Sequence, residues 1–175
     1  MKNKKYLIAI LVIINCLFAG CSVDSEPVSC PDNFTGELED EEVKLVGQWT
    51  LTGLIADTEI DLSNDDIDNP STDIFQQYSE CYKDALFSFG SNRVYSYEKG
   101  SRASGCNITS TNGTWALSED QLYLIVSCEQ LGFSLTFNES ATEFQYTSTL
   151  SIQDVNAVIT DTQVTFTYTK LESTE

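Results

Sequence analysis

The chain has 175 residues, with 27 acidic against 9 basic side chains, a formal net charge of -18 and no histidine. So acidic a surface repels nucleic-acid phosphates. Without histidine, the Ser-His-Asp and Cys-His nucleophile systems and every His-containing zinc site are excluded, whereas carboxylate-pair chemistry, cation binding and plain solubility stay open.

Residues 1–20 read as an export signal. Lys2, Lys4 and Lys5 precede an apolar run from Tyr6 to Phe18, which is short for a bilayer span, and small residues close it before a cysteine. Leu17-Phe-Ala-Gly-Cys21 resembles the bacterial lipobox, apart from Phe18, where an aliphatic residue is usual. The resemblance implies cleavage before Cys21 and its lipidation, which would hold the protein at a membrane. Ser22 at the next position permits the outer membrane, and Asp24 and Glu26 loosely resemble surface-export signals of Bacteroidetes lipoproteins. The expected place is therefore the bacterial outer membrane, lipid-anchored, with cell-surface exposure as a further option.

Residues 21–44 hold Pro27, Pro31, Gly36 and an acidic run over Glu37–Glu42, and read as an acidic tether whose last stretch can form a short helical turn. With Cys16 in the signal and Cys21 lipidated, Cys30, Cys81, Cys106 and Cys128 remain, an even set that reads as two disulfides in an exported chain. Four cysteines allow three connectivities. Cys81–Cys106 is favoured because both flank one strand pair and enclose a short loop, and Cys30–Cys128 follows by elimination.

From Leu45 to about residue 171 the pattern is period two, as expected of a single domain of strands with one buried face. Trp49, Leu51, Gly53 and Ile55 share a face, with Thr50 and Thr52 opposite. Residues 57–82 form a long connection whose second half, near residues 72–80, predicts a short helix capped by Ser71, Thr72 or Asp73. Alternation returns at Phe87 and Phe89, Tyr95 and Tyr97, Trp115 and Leu117, and Leu122, Leu124 and Val126. It continues through Phe133, Leu135 and Phe137, then Phe144 and Tyr146, and last Val164, Phe166 and Tyr168. Turn signals at Gly90-Ser-Asn92, Lys99-Gly-Ser101, Ser118-Glu-Asp120, Asn138-Glu-Ser140 and Asp161-Thr162 separate these runs. The expectation is an all-β fold, an antiparallel up-and-down barrel of eight or nine strands.

Gly47-Gln-Trp-Thr-Leu51 and Gly113-Thr-Trp-Ala-Leu117 each open a strand, and between them lie Asp61-Leu-Ser-Asn-Asp65, Ser71-Thr-Asp73 and Cys81-Tyr-Lys-Asp84. In this order and spacing the set resembles the lipocalin-like domain family of Bacteroidetes lipoproteins, over about residues 44–171. The resemblance implies an eight-stranded barrel with a central cavity, and Trp49 as the plug of its closed end. Most members of that family carry no assigned activity.

Two candidate sites follow. The barrel interior is expected to be lined by Phe, Tyr, Leu and Val, which suits one small apolar guest if the side chains do not fill it; its lining cannot be named from sequence. In Asp61-Leu-Ser-Asn-Asp-Asp-Ile-Asp68, the oxygens of Asp61, Ser63 and Asp65 stand at the alternate positions of a calcium loop, with Asp68 and Asp73 available to complete the shell. Asp66 stands where such loops want glycine, and no glutamate closes the loop, so any structural calcium would bind weakly, of order 10⁻⁴–10⁻³ M. The sequons at Asn33, Asn107, Asn112 and Asn138 read as coincidence in a bacterial chain rich in Ser and Thr. No other cofactor, catalytic residue or enzyme activity is expected. The expected role is noncatalytic binding of a small hydrophobic molecule by a lipid-anchored barrel. The rival is a protein-interaction module, such as an inhibitor of a basic host hydrolase.

Overall fold

A computed structural model describes residues 29–172. The signal, Cys21 and the first part of the tether lie outside the described residues.

The described chain is all-β, with a 3-10 turn at Val43–Leu45 and one four-residue helix, α1 (Glu80–Lys83). Its strands are β1 (Gly47–Ile60), β2 (Ser71–Asp73), β3 (Leu86–Phe89), β4 (Val94–Lys99) and β5 (Thr109–Ser118). They continue as β6 (Gln121–Val126), β7 (Glu129–Ser134), β8 (Thr136–Phe137), β9 (Glu143–Gln153) and β10 (Ile159–Lys170). Every pairing is antiparallel, in the order β7-β6-β5-β4-β3-β1-β10-β9-β8, with β2 added beside β1. Setting aside the two shortest, β2 and β8, leaves eight strands in up-and-down order. First and last strands pair, so the barrel is nearly closed and its seam falls within the sequence, between β7 and β9. There the Phe133 and Tyr146 rings lie 5.1 Å apart, but no ladder joins the two strands among the described residues.

The alternation of the sequence becomes the core. Trp49, Leu51, Phe87, Phe89, Tyr95, Trp115, Leu117, Leu122, Leu124, Phe144, Val164 and Tyr168 are buried. One face was misassigned. The β1–β10 register shifts between Leu51 and Gly53, so beyond this bulge Leu54 and Ala56 point inward and Ile55 is 45% exposed. A second expectation, a turn at Asp161-Thr162, also gives way. β10 runs through both residues, Ser151 Oγ donates to the Asp161 carboxylate on the neighbouring strand, and the turn lies at Asp154–Val158, with Ala157 at φ 64°.

The helix begins later than expected. β1 runs on to Ile60 and offers an unpaired edge, so Ser71–Asp73 join it as β2, with Asp73 opposite Ile55 and Ser71 opposite Ile60. Ile74 and Phe75 then donate their N–H groups to the Leu54 carbonyl. Pairing satisfies the backbone groups that a helix start would have left open, and only Glu80–Lys83 turn helical.

Both disulfides form as favoured, Cys81–Cys106 and Cys30–Cys128. The second shortens the expected tether. From Cys30 on, the arm is fastened to the barrel wall, where Phe34 N–H donates to Thr114 Oγ1 and Leu38 packs on the core. Its end is locked by Glu42, buried against Arg93.

That lock closes the end of the barrel where β1 starts. Trp49 is fully buried there, its Nε1–H donates to the Leu45 carbonyl at 2.7 Å, and its ring meets Phe144 at 4.9 Å. Lys170 lies over the same ring and donates to the Lys44 carbonyl. The opposite end, where β1 finishes, carries the long connections and is the mouth.

Candidate functional site: an aromatic cavity at the barrel mouth

Side chains fill the closed half of the barrel, and a cavity of about 190 Å³ remains at the mouth. Leu51 and Leu54 line it from β1, Tyr97 and Lys99 from β4, Leu150 from β9, and Phe166 and Tyr168 from β10. Ile74, Tyr78 and Tyr82 cover it from the turn and α1. The Tyr78 and Tyr82 rings stack at 5.3 Å and form the lid. Period two explains the wall: Tyr95, Tyr97 and Lys99 occupy one face of β4, and that face is inward.

Three phenols are clustered at this level. The Tyr146 ring stacks on Phe166 at 4.7 Å and lies 6.2 Å from the Tyr168 ring, with Tyr97 beside them in the wall. Burial pushes all three phenols up in pKa, Tyr168 and Tyr146 furthest, and burial raises Tyr78 too, with Tyr82 beside it. At ordinary pH the cavity therefore presents neutral hydroxyls, apolar walls and one ammonium. It can hold an apolar body and hydrogen-bond one polar group.

Asp84 braces the rim. It is buried behind α1, and its carboxylate accepts the N–H groups of Gly100 at 2.6 Å, Arg102 at 3.0 Å and Ala103 at 2.9 Å. Burial opposes its charge, but these three donors and Arg102 outweigh burial and hold the carboxyl below its ordinary range. The Cys81–Cys106 bridge staples the same rim.

The acidic loop lies at the mouth as well, against Val155 and Asn156. Its oxygens serve the loop itself. The Asp61 carboxylate accepts from Ser63 N–H, Ser63 Oγ and Asn69 N–H, and the Asp65 carboxylate accepts from Ile67 N–H and Asn69 Nδ2. Asp66 adopts φ 62°, the left-handed turn that glycine would have eased. Asp68 is exposed, and Asp73 is drawn into β2. Among the described residues, no three Asp, Glu, Cys or His side chains come together to hold an ion.

A second concavity follows the seam. It is lined by Gly132, Phe133, Ser134, Thr136, Gln145, Tyr146, Thr147, Ser148 and Thr165.

The sequence missed Lys99 and the lid tyrosines as cavity residues. Lys99-Gly-Ser101 reads as a turn, although extending the Tyr95, Tyr97 alternation by one step would have placed Lys99 inward. Tyr78 and Tyr82 come from the irregular connection and carried no signal.

Over residues 24–171 the chain matches the family described as Domain of unknown function (DUF5004), and it belongs to that family. No curated protein matches the chain. Family membership thus brings no activity with it, and the functional reading rests on the cavity and its surroundings.

Proposed function

We propose that the chain is a lipid-anchored protein of the bacterial cell envelope whose lipocalin-like barrel binds one small, largely apolar molecule without turning it over. The observation that carries this reading is the 190 Å³ cavity, walled by Leu, Ile, Phe and Tyr and covered by a tyrosine lid. Apolar cavities of about 150 Å³ hold a benzene-sized guest, so a single ring or a short chain fits, and a larger lipid does not. The lining offers neither paired carboxylates nor a nucleophile beside a base, which supports binding over catalysis. Anchoring rests on the lipobox resemblance at Leu17–Cys21.

Native mass spectrometry of the processed chain, released from membranes and exposed to a lipid and metabolite extract, tests the reading. A retained organic mass below about 200 Da is expected from the size of the cavity, and a bare protein mass would sink it. Acylation is tested separately by the mass of the N-terminal peptide, since Cys21→Ser should abolish it.

One observation favours a second reading, a protein-interaction module. The β7–β9 seam leaves strand edges without partners beside a surface groove, and such edges accept an added strand. Tight, stoichiometric binding of a basic hydrolase would move the assignment there.

A further inference from the structure

The mouth cavity has one charged side chain, Lys99, in an otherwise aliphatic and aromatic lining. Six basic residues lie among the described residues: Lys44, Lys83, Arg93, Lys99, Arg102 and Lys170. Five donate to protein oxygens. Lys44 reaches Asp120, Lys83 reaches Glu80, and Arg93 reaches Glu42. Arg102 reaches Thr50 Oγ1 and the Asp84 carbonyl, and Lys170 reaches the Lys44 carbonyl. Lys99 alone among them donates to no protein oxygen; its ammonium rests 4.4 Å from the centre of the Tyr82 ring. Lys99 is partly buried, and no protein oxygen takes up its ammonium, which leaves its donors available to a ligand. This lysine also stands on the inward face of β4, in the wall of the cavity, under the lid.

We infer that the cavity selects a small monocarboxylate: an aromatic ring or short alkyl body seated among Leu51, Leu54, Phe166 and Tyr168, with its carboxylate against Lys99. This inference rests on the small-molecule reading above and names the ligand class for it. The chemistry points to a carboxylate over a phosphate. One ammonium balances one negative charge, the other polar groups on the wall are phenols that donate single hydrogen bonds, and the field of so acidic a protein disfavours a dianion. The cation–π contact with Tyr82 keeps the ammonium in place while the site is free, and a carboxylate hydrogen bond is the stronger alternative. Neither Asp84 nor Glu80 competes for Lys99. Asp84 is engaged by three backbone N–H groups and Glu80 by Lys83.

The test compares phenylacetate with its neutral analogue 2-phenylethanol by isothermal titration. The titrant is added to the processed chain in lipid nanodiscs, with empty nanodiscs as the blank. Phenylacetate should bind at least tenfold more tightly, and Lys99→Met should bring the two ligands to near equality while leaving the thermal unfolding midpoint close to wild type. Lys99→Arg should keep most of the preference. Equal affinity of both ligands for the wild-type chain would overturn the charge inference and leave the small-molecule reading standing. Binding of neither ligand overturns it too. The mass-spectrometric experiment then decides whether the small-molecule reading survives, because an extract-derived mass would preserve it and a bare mass would remove it.

Discussion

Arg93 donates two hydrogen bonds of 2.7 Å, from Nη1 and Nη2, to the two carboxylate oxygens of Glu42, 51 positions away in the sequence. The pair is buried and saturated. Glu42 also accepts the N–H groups of Glu39 and Leu117, and Arg93 donates to the carbonyls of Gly36 and Glu37. One ion pair thus ties the arm, the β3–β4 turn and β5 into the floor of the barrel. Removing one partner strands the other charge. Glu42→Ala and Arg93→Met should each lower stability by about 3–5 kcal/mol, and the double variant should lose well under the sum. Urea unfolding of the three variants measures this, and simple additivity would contradict it.

Acid should loosen both the floor and the rim. Burial opposes ionisation of Glu42, but Arg93 and the two backbone donors hold its pKa below the ordinary 4.5; Asp84 is likewise held below 3.8. A carboxylate with a depressed folded pKa binds more protons when unfolded. Its contribution is complete above the unfolded value and is lost as pH falls through the folded one. Stability from these two groups should therefore be level from pH 5 to 8 and decline below about pH 4. Asp84→Asn should flatten part of that decline and lower stability at pH 7.

Alkali should act on the other end of the scale. Tyr168 and Tyr146 are raised above the ordinary 10.0, chiefly by burial. A raised folded pKa leaves stability intact below the unfolded value and erodes it as pH climbs from there towards the folded value. Thermal midpoints should fall above pH 10, and Tyr146→Phe should reduce the slope. An unchanged midpoint at pH 11 would show these phenols to be solvated.

Gly113 should resist substitution. A Cβ there would collide with the backbone carbonyl of Ile125 and approach Tyr95 Cε1 at 2.7 Å. Backbone cannot step aside as a flexible side chain can, so Gly113→Ala should cost at least about 1–3 kcal/mol. Gly36→Ala meets no neighbour, but its φ of 93° makes it a backbone-strain control. Parallel denaturant curves compare the two.

The two disulfides should differ in weight. Cys30–Cys128 closes a separation of 98 residues and Cys81–Cys106 one of 25. Chain entropy assigns them about 4.7 and about 3.5 kcal/mol respectively. Paired Cys→Ser replacements of each bridge, unfolded in urea, check that order.

Strand faces were legible where one rule acted alone. Phe87 and Phe89, or Leu122 and Leu124, follow period two and are buried as read. Ile55 was misplaced because a bulge adds a residue; Gly53 beside it is the kind of residue that marks a bulge, but it was read as one more step of the alternation. Asp161-Thr162 looked like a turn because strand propensity disfavours Asp, yet Asp161 is exposed and the Ser151 hydroxyl across the ladder donates to its carboxylate. The Glu42–Arg93 pair was invisible: in a chain so rich in acids, no local pattern says which one an arginine 51 positions away will choose. The cavity was legible as a possibility of the barrel, but its lid was not. Tyr78 and Tyr82 are placed by β2 docking on β1, an event that the capping signals at Ser71–Asp73 concealed.

The Cys30–Cys128 bridge also sets a distance. The arm lies along the barrel wall as far as Cys30, so with Cys21 acylated as proposed only nine residue steps separate the lipid from a fixed point on the barrel. Nine steps of extended chain span at most about 30 Å. The reading of residues 21–44 as a tether would have allowed more than twice that. On the proposed anchor the barrel would be moored on a short line, within about its own width of the bilayer, and whatever enters its mouth would be met near the membrane surface.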